Sequence, residues 1–255
     1  MKSSNHESIF QKYGEITYSA LGSMGQLKIV NILNLLQDTA AEHASLLKIS
    51  GFDLAKKNLA WVISKYRIKI LSNPPWLEKL LIKTWRFPWK NLYELRHFQI
   101  TGKNGAEIIN ATAAWVMVKK SNGLPVRLSR YLEKEMYTNN STDITDPFHD
   151  LKKIEKIDFQ LPFKIRMQDL DLNRHVNNAI YVGWAVETVP EDILNNFIPE
   201  KIDVLFQKES FYGDKITSKT EITEKNHNPL TLHSIISNNS KRELAFINIL
   251  WKPME

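Results

Sequence analysis

Residues 169–188 read DLDLNRHVNNAIYVGWAVET, with two carboxylates, three asparagines and one histidine set in front of an apolar, helix-like run. Asp171, Asn173 and His175 are spaced by two, which in an extended or loosely turned segment points the three side chains one way. A histidine can act as general acid or base near neutral pH. A neighbouring carboxylate can orient it or raise its pKa. The start of the following helix offers free N–H groups and a partial positive charge, suited to an oxyanion on an acyl carbonyl. Any one of these residues alone reads as a turn or helix-capping side chain; their density, continued by Asn177 and Asn178, is what points to chemistry. Glu209, in QKESFYGD, is weaker on its own, because a strand Glu beside Lys208 is ordinarily a solvated surface residue. The turn signal at Gly213-Asp214 places it near the end of its strand.

The remaining composition narrows the chemistry. The chain has 255 residues, 43% of them hydrophobic and 24% charged, which is a globular balance with room for one large or two ordinary domains. The formal charge of +6 suggests an acidic partner or substrate. There is no Lys/Arg-rich run and no zinc-finger pattern, so nucleic acid is not expected. The absence of cysteine excludes a thiolate nucleophile, a thiolate metal site and disulfides. Histidines such as His97, His227 and His233 lack metal-ligand spacing, and there is no Gly-rich phosphate loop or Gly-x-Ser-x-Gly elbow. Neither a cofactor nor a metal is expected. The polar first twenty residues and the lack of any long apolar run predict a cytoplasmic protein with no membrane insertion.

The motif needs a scaffold, and the hydrophobic periodicity supplies one twice. Ile29, Ile32, Leu33, Leu36, Ala40, His43, Ala44 and Leu47 recur at three- and four-residue steps, predicting a helix over 26–47. Gly51 marks a chain reversal beyond it. Strands are expected at 61–70, 79–87, 92–101 and 106–118, after a first strand within 8–20. In the second half, alternation over 157–167 predicts a strand in which Pro162 marks either an edge or a position near the strand's start. A helix over 176–189 and strands at 201–211, 214–224, 229–237 and 243–252 follow. Segments 108–118 and 243–252 are apolar on both faces, as central strands are. The polar stretch 137–150 is the best linker. The expected fold class is α+β: a domain over 1–136, a linker over 137–154 and a domain over 155–255, each an antiparallel sheet wrapped around one helix. The two sheets are expected edge to edge or back to back.

The run from Asp169 to Trp184 resembles the acyl-acyl carrier protein thioesterases, through Asp169, Asp171, Asn173, His175, Val176, Asn177, Asn178, Tyr181 and Trp184. The likeness extends to Trp61-Val62-Ile63 and to Thr112–Val116, covering nearly the whole chain. It implies two fused hot-dog domains. It also implies hydrolysis of fatty acyl-carrier protein to free fatty acid within fatty acid biosynthesis, with an acidic acyl carrier protein as partner. The acyl chain would lie mainly in the first domain. Catalytic positions would be Asp171, Asn173, His175 and Glu209, which lifts Glu209 above a surface residue. Plant members of that family carry a cysteine after the glutamate where this chain has Ser210, so carboxylate-driven chemistry is expected. Glu209 would activate water, His175 and Asn173 would position it, helix N–H groups would polarise the carbonyl, and Asp171 would either orient the network or attack to give an anhydride.

Three rivals share parts of this pattern: an acyl-CoA thioesterase, a hydratase or dehydratase of the same fold, and a non-catalytic acyl-binding protein. A monomer and a homodimer are both compatible with the sequence.

Overall fold

The computed structural model describes residues 8–90, 92–137 and 147–254. Helix α1, Ile29–Leu46, follows the apolar spacing: Ile32, Leu33 and Leu36 are fully buried. Each contributes on the order of 2 kcal/mol by leaving water. Burial rather than capping fixes this helix, because its N-cap Lys28 makes no side-chain cap bond. The helix starts later than expected because Leu27 pairs with Leu21 in a bridge and Lys28 is extended at φ −63 and ψ 133. Gln26 to Lys28 therefore lead into the helix without belonging to it. Where Gly51 suggested only a reversal, a short helix α2, Gly51–Ala55, forms because Ser50 and Asp53 close a capping box.

Among the described residues ten strands follow or flank these helices: β1 Ile9–Glu15, β2 Leu59–Ile70, β3 Lys79–Trp89, β4 Tyr93–Gly102, β5 Glu107–Lys119, β6 Phe159–Lys164, β7 Phe197–Phe206, β8 Lys215–Lys225, β9 Asn228–Ser237 and β10 Glu243–Pro253. They form one antiparallel sheet in the order β1-β3-β4-β5-β2-β7-β10-β9-β8-β6. Read outward from the β2–β7 seam, each half has the same order. The two sheets thus meet edge to edge, with pairing from Lys65↔Leu205 to Lys69↔Lys201. β5 and β10 are interior strands buried on both faces, and β6 with Pro162 is an edge strand, all as expected.

Helix α3 covers Asn178–Val186 rather than 176–189, and a separate helix α4, Glu191–Asn196, follows Pro190. The expected strand 157–167 is shortened to β6. β7 begins earlier than expected and ends at Phe206, so 207–210 leave the sheet. Helices α1 and α3 lie against each other: a Cβ on Gly183 would stand 3.1 Å from Val30 Cγ2. Their joint interior is one cluster drawn from both halves, including Ile32, Leu36, Tyr66, Val182, Ile202 and Ile247. Of the expected linker, residues 138–146 lie outside the described residues. Beyond them Phe148 packs on Phe87, Leu95 and Ala114. That is the sheet face away from the helices, because Ala113 next to Ala114 belongs to the helix-side cluster.

Candidate active site

The Asp171–His175 segment is a tight turn rather than an extended run. Asp171 N–H donates to the His175 carbonyl at 2.7 Å, Arg174 N–H donates to the Asp171 carbonyl at 3.0 Å, and Leu170 is bridged to Val176. Arg174 takes the left-handed backbone, φ 65, that reverses the chain. The side chains of Asp171, Asn173 and His175 are therefore set by a reversal and not by strand alternation. Asp171 Oδ1 accepts from the N–H groups of Asn173 at 2.8 Å and His175 at 3.1 Å. This is the Asx geometry for which aspartate is suited. The Asn173 side chain makes no hydrogen bond among the described residues and is exposed.

The turn is anchored at both ends. Below it, Asp169 is buried and accepts from Arg166 through the backbone N–H at 2.7 Å and through Nη2 at 2.9 Å. Above it, Asn177 caps α3, its Oδ1 accepting from Ala179 N–H at 2.9 Å and from Gln37 Nε2 of α1 at 3.3 Å. The N–H groups of Val176 and Asn177 are engaged, by the carbonyls of Ser210 and Asp169. The expected set of free amides at the helix start narrows to that of Asn178, which has no acceptor among the described residues.

Glu209 arrives on the irregular segment beyond β7, three residues past its end at Phe206, not within a strand. That segment is pinned to the helix. Val176 N–H donates to the Ser210 carbonyl at 3.1 Å, and His175 is bridged to Phe211. The buried Ser210 hydroxyl lies 2.6 Å from the Tyr181 hydroxyl. Burial, opposed by the Ser210 hydrogen bond and aided by the charges of Glu209 and Asp171, pushes the Tyr181 phenol up to about 12, so it stays protonated. The outcome is His175 Nε2 at 3.4 Å from Glu209 Oε2, with side chains 30% and 48% exposed. That separation allows proton exchange after a small shift or through one water, and both groups are open to solvent. The Phe211 ring stands edge-on to the imidazole at 5.2 Å and limits how it can rotate.

The structure thus brings His175 and Glu209 together beside the turn that carries Asp171 and Asn173; Asp171 faces the backbone amides, and no contact joins the Asn173 side chain to the other three among the described residues. The sequence reading missed Gln37, Arg166 and Phe211. Arg166–Asp169 carries a local signal in its three-residue spacing. Gln37 lies 140 positions from Asn177 and carries none.

The first half repeats the turn without the chemistry. Gly22 N–H donates to the Gln26 carbonyl at 2.7 Å, Gly25 N–H to the Gly22 carbonyl at 3.0 Å, and Leu21 is bridged to Leu27. Gly25, φ 75, takes the place of Arg174. By these bonds Gly22, Met24 and Gln26 stand where Asp171, Asn173 and His175 stand. Asn73, the third residue past β2, stands where Glu209 follows β7. Its Oδ1 accepts from Leu27 N–H at 3.0 Å. Among the described residues no group of three or more His, Asp or Glu side chains could hold a metal.

Residues 7–135 match the acyl-ACP thioesterase N-terminal domain and residues 152–253 the acyl-ACP thioesterase C-terminal domain. The chain is 29% identical over 203 residues to a chloroplastic acyl-[acyl-carrier-protein] hydrolase of Cuphea viscosissima, 73% of this chain and 48% of that protein. It is 29% identical over 209 residues to a chloroplastic oleoyl-acyl carrier protein thioesterase of Coriandrum sativum, 75% of this chain and 57% of that protein. It therefore spans about half the length of these two relatives. Among solved structures, the 12:0-ACP thioesterase from Umbellularia californica superposes with a TM-score of 0.88 at 21% identity, covering 98% of this chain and 95% of that one. An acyl-ACP thioesterase from Bacteroides thetaiotaomicron gives 0.79 at 20% identity, covering 99% and 100%. These likenesses show the fold, two hot-dog units in one sheet. With both of its halves matched by the two domains of one family, the chain belongs to the acyl-ACP thioesterase family.

Proposed function

We propose that this chain hydrolyses the thioester between a fatty acyl group and acyl carrier protein, releasing free fatty acid and carrier in fatty acid biosynthesis. The observation that carries this reading is the approach of His175 to Glu209 beside the Asp171–Asn173 turn, within a chain of this family. Glu209 takes the proton of a water positioned by His175 and Asn173, and the water attacks the thioester carbonyl; collapse of the tetrahedral adduct breaks the C–S bond, and the proton held by Glu209 passes, directly or through His175, to the leaving thiolate. The Asn178 N–H at the start of α3 supports the developing oxyanion. Asp171 holds the turn through its Oδ1, and we assign it an orienting role rather than that of nucleophile.

The same proposal divides the labour between the halves: residues 1–136 hold the acyl chain, 137–154 connect, and 155–255 carry the catalysis. In support, α1 adjoins the site through the Gln37–Asn177 hydrogen bond, while the matching turn of the first half, Gly22, Met24 and Gln26, carries neither an acid nor an imidazole. The partner is an acidic carrier protein, which the formal charge of +6 favours. Among the described residues no helix is long and apolar enough to cross a membrane. We place the activity in the cytoplasm, and cell fractionation decides the compartment. Sedimentation decides between monomer and homodimer.

The deciding experiment is thiol release from one long-chain acyl group presented on carrier protein and on coenzyme A. Faster turnover on carrier protein supports the proposal. Faster turnover on coenzyme A makes the chain an acyl-CoA thioesterase. No release from either, with the acyl chain still bound, makes it an acyl-binding protein.

A further inference from the structure

The fold is duplicated, but its two long helices begin differently. Counted on from the matching turns, Lys28 stands where Asn177 stands, each the N-cap residue of its helix. Counted further along, Val186 of α3 stands where Gln37 of α1 stands. On the catalytic side Gln37 meets the Asn177 cap through a hydrogen bond. The corresponding residues on the other side are Val186, whose side chain has no polar atom, and Lys28, which makes no side-chain cap bond. Helix α1 still runs for 18 residues. A cap is therefore not a condition of forming a helix at this place in the fold. The shorter α3 has its cap in the Asn177 bond to Ala179 N–H, which does not require Gln37. The bond from Gln37 is an addition found only beside His175 and Glu209.

The chemistry of that bond has one direction. Asn177 Oδ1 accepts from Ala179 N–H at 2.9 Å, which identifies it as the carbonyl end of the carboxamide. Whatever faces it from α1 has to donate, and Gln37 Nε2 does so at 3.3 Å. This is the sole hydrogen bond of the Gln37 side chain among the described residues. Leu33, Leu36 and Ala40, around it on α1, are buried in the interior shared by both halves. Gln37 is thus carried by a rigid element.

Held from two sides, the Asn177 side chain fixes the first turn of α3. Asn178 lies between the two residues that the cap joins, and its N–H is left without an acceptor among the described residues. The peptide carrying that N–H is oriented by Asn177 ψ, 135, the angle that the cap bond holds. A side chain tied only to Ala179 has more freedom, and so does the peptide that follows it.

We infer that Gln37 is a positioning residue of the site, supplied by the half that carries none of the four residues proposed for catalysis. Its amide holds Asn177 so that the Asn178 N–H is aimed at the oxygen of the thioester carbonyl. The inference rests on the proposed thioesterase reading. Charge grows on that oxygen as the tetrahedral adduct forms, so a misdirected donor costs more there than in the bound substrate. The loss therefore falls on kcat and leaves KM nearly unchanged.

The test measures thiol release by the full chain from one long-chain acyl group on carrier protein. The thermal midpoint of each variant is read in parallel. Gln37→Met keeps the length of the side chain and removes the donor. Gln37→Glu keeps the shape, and at about pH 8 its carboxylate is ionised and cannot donate. The expected result is a fall in kcat of about tenfold in each, with KM within about twofold and the midpoint unchanged. Full kcat in either variant overturns the inference. So does a rise in KM with kcat retained, since Gln37 then only touches the substrate. A loss of kcat that tracks a loss of midpoint across the two variants also overturns it, as Gln37 then only supports the fold. If the unaltered chain releases no thiol, the thioesterase reading fails and this inference with it. Thiol release that is indifferent to both substitutions removes Gln37 alone.

Discussion

Glu209 sits on an irregular segment whose position depends on Ser210 and Phe211 beside it, so its approach to His175 follows from packing as much as from its own chemistry. Glu209→Gln keeps the shape and removes the proposed base; kcat should fall about 10²- to 10⁴-fold while the thermal midpoint is unchanged. Near-normal turnover by this variant would remove Glu209 from the mechanism. The same assay run as a single turnover in labelled water separates the two roles of Asp171. An orienting Asp171 incorporates no solvent oxygen into its carboxylate, whereas a nucleophilic one does. A different buried group governs stability against acid. His233 is enclosed by Thr220 and Thr231, with Trp251 donating to the same Thr231 hydroxyl, and burial lowers its pKa from 6.5 to about 3. The folded pKa is the lower one, so the unfolded chain takes the proton first. Stability is full above 6.5 and falls as the pH drops from there toward 3. In His233→Gln the unfolding free energy measured across that window should lose one proton's worth of slope. An unchanged slope would mean that His233 is not held neutral.

At the scale of elements, the close approach of α1 and α3 couples the halves. Gly183 faces Val30 with no room for a large side chain, and the same helix pair carries the Gln37–Asn177 bond at the site. Gly183→Leu should force the helices apart, costing about 1–3 kcal/mol of stability in denaturant titrations. It should also lower turnover by moving the Asn177 cap away from Gln37. A fully stable and active variant would show that the contact has slack. These elements also mark what could be read in advance. The periodicity of Ile32, Leu33 and Leu36, the two-faced apolar runs of β5 and β10 and the edge position of Pro162 are local signals, and each was legible. The Asp171–His175 cluster was legible as chemistry, but its conformation was not. Spacing by two also fits a strand, and only Arg174 at positive φ together with the Leu170–Val176 bridge makes it a turn. The end of β7 at Phe206 was hidden because the following residues are held by α3, far away in the sequence. Gln37 was hidden for the same reason.

Across the whole molecule, the duplicated sheet leaves one seam, β2 against β7, bridged by Arg67 Nε donating to Asp203 Oδ1 at 2.7 Å. Lys201 approaches the same carboxylate at 3.0 Å. The pair is mostly shielded, and one apolar cluster draws on α1, α3, β2, β7 and β10 together. Two domains joined only by a linker and a polar contact would unfold separately. Here the interior is shared, so the halves should unfold as one cooperative unit. Tryptophans report on both sides, Trp85 and Trp115 in the first half, Trp184 and Trp251 in the second. Fluorescence of variants that each retain tryptophan in one half only should give coincident denaturant transitions. A double-mutant cycle with Arg67→Ala and Asp203→Ala should give a coupling of about 1 kcal/mol, shifting both transitions together. Transitions that separate, in the parent or in the Arg67 variant, would show that the seam is an interface between independent domains. The proposed pairing of an acyl-holding half with a catalytic half would then rest on the linker alone.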